Sequence, residues 1–508
     1  MDTTRAPRAD DDTAGVPVPA FAWRPVALVA AVPVVILAAC IGRYGYHRDE
    51  LYFLDAGRHL AWGYPDQPPL LPLLAHGLDL LPGPALPWLR VPGLLIAAAC
   101  VLLGALTARE MGGGRRAQVL TAVLVALFPI TYGLAEMLTT ATLDGLCWVA
   151  ITWLLVRWIR VRDGRLLFAV GLVAAVDVQV KWLVLFLMVG LLAGVLAYGP
   201  RAVLRSPWLW AGGAVAAISW VPGLVWQARH GWPQIEMGQV IASHQSFGGR
   251  PLFVPMQILF TGVVPAAVWL YGLVMLWRAP RLRAYRFVGV AYLVLLVFFV
   301  VTGGQAYYLF GLYPALWAAG AVAWTERPPR AWLRWTASPV ALAITFPIVL
   351  GLSVPLYPVS VVARTPLTAI NTPIGETVGW PRFVAAVDRA YRTLPPADRS
   401  TAVVLTSNYG EAGAVNRLGP PLGLPHAYSG HNAYWYWGPP PVTRGAALVI
   451  GSPEYVAYTR ASWTDCRVAA RIDNGVDLDN EEQGYPILAC RGPKLTWARI
   501  WPTQRHLG

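Results

Sequence analysis

The chain has 508 residues, of which 56% are hydrophobic and only 13% are charged. Soluble domains carry about 25% charged residues, so this composition excludes an ordinary soluble protein and indicates an integral membrane protein. The net charge of +13 comes from arginines dispersed in short loops between apolar runs, which membrane topology explains better than a nucleic-acid-binding surface does.

Residues 1–22 are mostly polar or small and predict a disordered cytoplasmic tail. Eleven apolar runs follow, each near the roughly 20 residues that a membrane-spanning helix needs. They lie at 24–42, 88–108, 117–135, 141–158, 166–180, 182–199, 207–226, 255–277, 286–302, 306–325 and 337–357. The sequence therefore predicts an all-α polytopic membrane bundle over residues 23–358, with a first outer loop at 43–87.

The distribution of arginine sets the predicted orientation of this bundle. One alternating set of loops is rich in arginine and holds Arg109, Arg115, Arg116, Arg157, Arg160, Arg162, Arg165, Arg201, Arg205, Arg278, Arg281, Arg283, Arg286, Arg327, Arg330 and Arg334. Because cytoplasmic loops carry the excess of Lys and Arg, we expect these loops and the N-terminus in the cytoplasm. The 43–87 loop, the 227–253 loop and everything after about residue 358 would then be extracytoplasmic.

Residues 359–508 are more polar and predict a small extracytoplasmic α/β domain. The stretch 380–394 has helical periodicity, whereas 401–408 and 446–452 have the apolar composition of buried strands. Cys466 and Cys490 also lie here. On the extracytoplasmic side these two cysteines would form a disulfide.

The first outer loop concentrates ionisable groups in "YGYHRDELYFLDAGRHLAWGYPDQPPL", residues 44–70. Its acidic residues are Asp49, Glu50, Asp55 and Asp66. Large apolar side chains alternate with the charges, which favours an interfacial amphipathic helix over the alternative of a solvated loop. Such a helix would hold Asp49 and Glu50 at the mouth of the bundle.

Other ionisable or aromatic residues also fall at predicted outer ends of spans, namely Glu136, Asp144, Lys181, His244, Tyr307 and Tyr308. Each has a plain alternative: helix-end acids in water, a snorkelling lysine or its ion pair with Asp177, a loop histidine without a role, or an aromatic belt. Their agreement on one side, under a topology set from arginines alone, favours a site at the outer leaflet. Carboxylates beside a cation suit a lipid-borne anionic donor and a hydroxyl acceptor.

Three stretches resemble a known family of membrane enzymes. They are "HRDELYFLDAGRHLAWGYPDQPPL", "TTATLDGLCW" and "YYLFGLYPALWAAG", and "SNYGEAGAVNRLG…SGHNAYWYWGPP" (407–440) is similar to uncharacterised bacterial members. The chain resembles polytopic glycosyltransferases of the GT-C fold. The branch in question joins protein O-mannosyltransferases, aminoarabinose transferases of lipid A and Rgt-like bacterial enzymes (families 39 and 83).

The resemblance implies transfer of a sugar, with inversion, from a polyprenyl-phosphate carrier to an extracytoplasmic hydroxyl of a lipid, glycan or protein. Asp49 matches the first-loop catalytic acid of the family, and Glu50 would support it. Asp144 matches the second acid. A carboxylate is needed because the acceptor hydroxyl must lose its proton as it attacks the anomeric carbon.

The resemblance also points to substrate-binding and metal-binding positions. Asp66 stands where the aminoarabinose branch has a metal-contacting glutamate, but Gln67 replaces the phosphate-contacting lysine that follows it. Lys181, Arg58 and Arg48 are then the candidate cations for the departing phosphate, and Tyr52, Tyr307 and Tyr308 are further substrate-binding candidates. A divalent metal would have only Asp66 and His244 as ligands.

Two other functions are compatible with the sequence. A transporter or lipid flippase would show midplane charges and paired halves, whereas here the charges cluster at one face and no half-repeat is visible. A receptor-like scaffold could use the aromatic run "HNAYWYWGPP" (431–440) to bind glycan without chemistry.

Overall fold

The computed structural model describes residues 18–243, 245 and 248–508. Most of the predicted tail, and His244, lie outside these described residues. The described chain is mainly helical as far as residue 358 and carries a small mixed sheet beyond it.

Most helices of the first part lie in the predicted apolar runs, and a few lie in the segments between them. In chain order they are α1 (Trp23–Cys40), α2 (Arg48–Arg58), α3 (Leu70–Asp79), α4 (Ala85–Glu110), α5 (Arg115–Ala126), α6 (Pro129–Ala135), α7 (Thr140–Val161), α8 (Gly164–Asp177), α9 (Leu183–Tyr198), α10 (Pro207–Arg229), α11 (Pro233–Ser243), α12 (Gly249–Thr261), α13 (Val263–Arg278), α14 (Arg286–Thr302), α15 (Tyr313–Glu326), α16 (Ala331–Arg334) and α17 (Pro339–Ser353). A 3₁₀ turn at Ala306–Leu312 leads into α15.

Within the described residues, six helices are long and apolar enough to cross a membrane, and the number rises to nine if each bent pair is one span. The eleven spans predicted from the sequence include the segments of α8 and α9, but these helices have only 14 and 16 residues. At 1.5 Å per residue these two helices reach about 21–24 Å, short of the roughly 30 Å hydrocarbon core. By length and composition, the described part of the chain therefore holds fewer full-length spans than the eleven that the hydropathy pattern predicts.

The prediction of one continuous span at 255–277 is wrong, because a sharp bend interrupts the helix. Helices α12 and α13 meet at Gly262 with a bend of 106°. Gly262 has a φ of +81°, a backbone conformation that glycine adopts without a Cβ clash. This segment is a broken span or a re-entrant loop, not one continuous helix.

Small residues let neighbouring helices of the bundle approach closely. Helices α8 and α10 touch at Gly171 and Gly212, where a Cβ added to Gly171 would lie 2.2 Å from the carbonyl carbon of Gly212. Close backbone approach at small residues is the usual way in which membrane helices associate. It packs α8, which ends at Asp177, closely against α10.

The C-terminal region, residues 359–508, contains a five-stranded mixed sheet. Its strands are β1 (Val403–Thr406), β2 (Ala427–Ser429), β3 (Ala447–Ile450), β4 (Trp463–Arg471) and β5 (Pro486–Pro493). The order is β2-β1-β3-β5-β4, with β1 parallel to β2 and β3, and β5 antiparallel to β3 and β4. The Cys466–Cys490 disulfide joins directly opposite residues of β4 and β5.

The helices of this region surround the sheet. They are α18 (Val359–Val362), α19 (Leu367–Ile370), α20 (Thr372–Gly375), α21 (Trp380–Arg392), α22 (Pro396–Arg399), α23 (Tyr409–Leu418), α24 (Ala433–Tyr436), α25 (Pro453–Thr459) and α26 (Trp497–Ile500). Helix α21 lies where the periodicity predicts a helix, and β1 and β3 lie within the two predicted strands.

Helix α2 is the predicted first-loop helix, but its surroundings differ from the prediction. Eight of its eleven residues are buried, including Glu50 and Asp55. It packs against α3 on one side and against α23 of the C-terminal region on the other. The helix is thus enclosed between the bundle and the C-terminal region, and does not lie on an open membrane interface.

Candidate active site

The start of helix α2 is fixed by a local cap. The ring Nδ1 of His47 accepts a hydrogen bond from the backbone N–H of Asp49 at 3.2 Å, and Glu50 Oε2 accepts one from the backbone N–H of His47 at 2.8 Å. This reciprocal capping satisfies N–H groups that the first turn of a helix leaves unpaired. It holds Asp49 at the positive end of the helix dipole, where a carboxylate is stabilised.

The Asp49 side chain is the most accessible acid of this turn, with one third of its surface exposed. One carboxylate oxygen accepts a hydrogen bond from the hydroxyl of Tyr409 at 2.9 Å. The other lies 3.9 Å from the His47 ring. Asp49 therefore combines a fixed orientation with access for a second molecule.

Glu50 has a different environment, although it is the next residue. Its carboxylate is fully buried and pairs with Arg90, while Oε1 also accepts from the backbone N–H of Leu138 at 3.3 Å. Because Oε2 accepts a hydrogen bond from the backbone N–H of His47, both carboxylate oxygens of Glu50 are bound by protein groups. The structure thus places the predicted supporting acid in the scaffold beneath Asp49.

Asp66 is partly buried and interacts electrostatically with Asp49. The Tyr52 hydroxyl donates a hydrogen bond to Asp66 Oδ1 at 2.7 Å. Burial raises the pKa of Asp66 to about 7; the Tyr52 hydrogen bond opposes this shift and the Asp49 charge adds to it. Two interacting carboxyls in different environments are a common feature of acid–base sites.

A second group of predicted residues gathers at the ends of α7 and α8. The carboxyl groups of Asp144 and Asp177 are buried next to each other, and both interact electrostatically with Lys181. The Lys181 ammonium lies 4.9 Å from the ring centre of Tyr308 and 5.7 Å from that of Tyr307. The aromatic faces and the two acids together hold one cation at this end of the bundle.

The segment after α2 connects the two groups. Gln67 is buried and shares a small cleft with Gln179 and Trp182, the residues on either side of Val180–Lys181. The backbone N–H of Leu70 also donates to the carbonyl oxygen of Gln179 at 2.9 Å. The loop that carries Asp66 is thus fixed directly to the turn that carries Lys181.

Arg48 and Arg58 are bound to carboxylates. Arg48 Nη2 donates to Glu481 at 2.7 Å, and Arg48 Nη1 also lies 3.3 Å from Glu376. Arg58 pairs with Asp55 at 3.4 Å and lies 3.9 Å from Asp79. All three candidate cations therefore face acids; Arg48 and Arg58 do so in ion pairs near the C-terminal region and α3, whereas Lys181 does so beside two aromatic rings in the bundle.

Comparison with known proteins identifies the fold that carries these residues. A family model described as dolichyl-phosphate-mannose-protein mannosyltransferase matches residues 66–226, and no curated protein matches the chain. The solved structure of ArnT from Cupriavidus metallidurans bound to undecaprenyl phosphate matches with a TM-score of 0.59 at 15% identity, covering 92% of this chain and 98% of that one. Its apo state matches with a TM-score of 0.59 at 16% identity over 91% and 97% of the two chains. The protein has the GT-C fold.

The family model and the match to ArnT cover different parts of the chain, and so different residues of the site. The family model spans Asp66, Asp144 and Lys181 but begins after Asp49. The match to ArnT covers nearly the whole chain, and with the apolar helices it identifies a multi-pass membrane protein.

Two residues of this GT-C site escaped the sequence reasoning. Arg90 is a single charged residue inside the apolar run of α4, and an intramembrane charge of that kind signals a partner. Tyr409 lies in the "SNYGEAG" stretch, which was noted only for its resemblance. Neither sequence position reveals contact with the first outer loop.

The metal prediction depends on a residue outside the described part of the chain. Among the described residues, no group of three or more His, Cys, Asp or Glu side chains could hold a metal ion. Asp66 is described and bonded to Tyr52, whereas His244 is not described.

Proposed function

We propose that this protein is a membrane glycosyltransferase that moves a sugar from a polyprenyl-phosphate donor to a hydroxyl group of an acceptor. The observation that carries the proposal is the accessible Asp49 carboxylate at the start of α2, fixed by Tyr409. The GT-C fold and the mannosyltransferase family model support it, as does the undecaprenyl phosphate bound to ArnT. The transporter alternative has no support from the comparisons.

Asp49 serves as the general base in this reaction. The acceptor hydroxyl attacks the anomeric carbon from the face opposite the phosphate, and its proton passes to the Asp49 carboxylate. The bond between the anomeric carbon and the phosphate oxygen breaks as the new glycosidic bond forms, so the configuration is inverted. A well-placed base contributes typically 10²–10⁴-fold to such a step.

Lys181 stabilises the leaving phosphate. Negative charge grows on the phosphate oxygen as the bond to the sugar breaks, and a fixed cation in a desolvated site stabilises that charge more than water does. Tyr307 and Tyr308 orient the ammonium, and Asp144 with Asp177 balances its charge. Gln67, in the intervening cleft, offers an uncharged hydrogen-bond donor between the two groups.

The donor and the chemistry are tested together by a panel of radiolabelled undecaprenyl-phosphate sugars. Membranes containing the protein are expected to transfer label from at least one donor to an extractable lipid, glycan or protein acceptor, with release of undecaprenyl phosphate. The linkage formed should have the anomeric configuration opposite to that of the donor. Retained configuration, or equal label in membranes that lack the protein, contradicts the proposal.

We also propose that the C-terminal region and helix α2 face the extracytoplasmic side. The opposite end of the bundle carries the arginine-rich loops, where Arg157 and Arg160 bind the buried Glu110 at 3.1 and 2.6 Å. The disulfide of the C-terminal region suits an oxidising compartment. In intact cells, an impermeant thiol reagent should label Ser400→Cys but not Arg115→Cys, and the reverse result would contradict this orientation.

A further inference from the structure

Three consecutive residues at the start of α2 are each bound by a different part of the C-terminal region. His47 Nε2 lies 2.9 Å from Glu376 Oε2, Arg48 Nη2 lies 2.7 Å from Glu481 Oε2, and Asp49 Oδ1 lies 2.9 Å from the Tyr409 hydroxyl. The partners come from three separate segments of that region. Of these three side chains, Asp49 is the most exposed, at 33% against 6% for His47 and 14% for Arg48.

Close helix packing fixes the position of Tyr409. Helix α23 contacts α2 through two glycines, and a Cβ on Gly410 would lie 2.7 Å from the Cβ of Arg48. A Cβ on Gly413 would lie 2.9 Å from the Cβ of Leu51. The two backbones could not come this close with larger residues, so the glycines set where the first residue of α23 stands relative to Asp49.

The N-terminus of α23 is also fixed by hydrogen bonds. Asn408 caps the helix by accepting from the backbone N–H of Glu411 at 2.9 Å, and its Nδ2 donates to Glu481 at 3.3 Å. Glu481 is the same residue that binds Arg48. The cap of α23 and the first turn of α2 therefore share a partner.

Aromatic contacts fix the Tyr409 ring. Its centre lies 4.8 Å from the ring centre of Tyr52 and 4.8 Å from that of His431, and the Arg48 guanidinium lies 5.5 Å away. The ring cannot turn without disturbing these contacts. The hydroxyl thus has a defined direction, toward one oxygen of Asp49.

We infer that Tyr409 is a positioning residue for the catalytic carboxylate, and that the C-terminal region completes the active site. This inference rests on the proposed function. By donating to Oδ1, the Tyr409 hydroxyl selects one rotamer of Asp49 and leaves Oδ2 for the acceptor hydroxyl.

The chain offers a matched control for Tyr409. Tyr434 is another tyrosine of the C-terminal region whose hydroxyl donates to an acid of α2, in this case Asp55 at 2.5 Å. Tyr409→Phe and Tyr434→Phe each remove one hydroxyl and one hydrogen bond between the same two parts of the molecule. Only Tyr409→Phe removes a bond to Asp49.

The first measurement does not depend on activity. A carbodiimide modifies the carboxyl groups that it can reach, so its yield at Asp49, read by peptide mass spectrometry at one fixed pH, reports how far the Tyr409 hydrogen bond shields this carboxyl in the purified full-length protein. We expect the yield to rise in Tyr409→Phe, which releases Oδ1, and to stay at the wild-type value in Tyr434→Phe.

The second measurement uses the donor of the panel that gives the fastest transfer. Loss of a hydrogen bond to a charged group predicts a fall in kcat of about 10- to 100-fold in Tyr409→Phe, with little change in the donor KM. If Tyr409→Phe does not fold, Tyr409→3-fluorotyrosine keeps the ring contacts and strengthens the hydrogen-bond donor, so the carbodiimide yield at Asp49 should fall below the wild-type value.

The outcomes separate the two proposals. An unchanged carbodiimide yield at Asp49 and an unchanged kcat in Tyr409→Phe, or equal changes in Tyr434→Phe, overturn the role of Tyr409 even if Asp49→Asn is inactive. A raised yield in a protein that transfers sugar from no donor supports the positioning role and counts against the proposed function.

Discussion

Glu50 and Arg90 form a bidentate ion pair in the interior of the molecule: Arg90 Nε donates to Glu50 Oε1 and Arg90 Nη2 donates to Glu50 Oε2, both at 3.1 Å. Neither side chain has more than 3% of its surface exposed. Arg90 also donates to the backbone carbonyl oxygens of Ile41, Arg43 and Gly45. The pair therefore ties helix α4 to the connection between α1 and α2, directly beneath Asp49.

The first prediction concerns this ion pair. Glu50→Gln removes the charge that balances Arg90, and an unpaired buried charge costs about 3–5 kcal/mol. We expect a large fall in the apparent Tm of the detergent-solubilised protein. The control is Glu326→Gln, which breaks the more exposed pair with Arg281 and should cost at most about 1 kcal/mol. Equal Tm values for the two variants would contradict a scaffold role for Glu50.

The contrast between Asp49 and Glu50 shows what local sequence can predict. The alternation of apolar and charged residues predicts helix α2, and the resemblance singles out Asp49. The adjacent acids look equivalent in sequence, because their difference depends on partners 40 and 360 residues away, Arg90 and Tyr409. Strands β1 and β3 are short apolar runs and were predictable, whereas the enclosure of α2 depends on two glycines of α23 that carry no local signal for it.

The second prediction concerns the cation that meets the phosphate. Lys181→Met should lower kcat/KM for the polyprenyl-phosphate donor by about 10- to 100-fold, with a lower kcat and a higher KM, since a hydrogen bond to a charged group contributes about 1.5–3 kcal/mol. The same loss should appear when free undecaprenyl phosphate is used as a competing inhibitor. Lys181→Arg keeps the charge and should lose less.

The comparison for this variant is Arg58→Met. Arg58 is close to half exposed and is already paired with Asp55 and Asp79, so its loss should change the donor KM by no more than about twofold. A larger effect for Arg58→Met than for Lys181→Met would move the phosphate site away from Lys181.

The third prediction concerns the pH dependence of the contact between His47 and Glu376. Burial alone would lower the pKa of His47, but the hydrogen bond to Glu376 and the charges of Asp49 and Glu50 raise it above its ordinary value of 6.5. Burial would raise the pKa of Glu376, yet His47 and Arg48 lower it to about 2 from 4.5. The raised His47 pKa stabilises the folded state below pH 6.5, and this effect is lost as pH rises through the folded value. The lowered Glu376 pKa stabilises it above pH 4.5 and is lost as pH falls toward 2.

The contact is therefore strongest between about pH 4.5 and 6.5. The Tm difference between the wild-type protein and Glu376→Gln should be larger at about pH 5.5 than at about pH 8.5, where the contact of Glu376 with Arg48 remains. Asp398→Asn removes the pair of Asp398 with Arg491, which has no histidine, and its Tm difference should be the same at both values. If the Tm difference between the wild-type protein and Glu376→Gln grew with pH, the assigned pH dependence of the contact between His47 and Glu376 would be wrong.

The most direct test of the account is sugar transfer by Asp49→Asn. The variant keeps the size of the side chain and can still accept a hydrogen bond from Tyr409, but it cannot take the proton of the acceptor hydroxyl. With the fastest donor of the undecaprenyl-phosphate panel, we expect kcat to fall by about 10²–10⁴-fold while the donor KM stays near the wild-type value. The control Asp398→Asn should transfer at the wild-type rate. Wild-type transfer by Asp49→Asn from every productive donor would show that this carboxylate is not the base, and the proposed mechanism would be wrong.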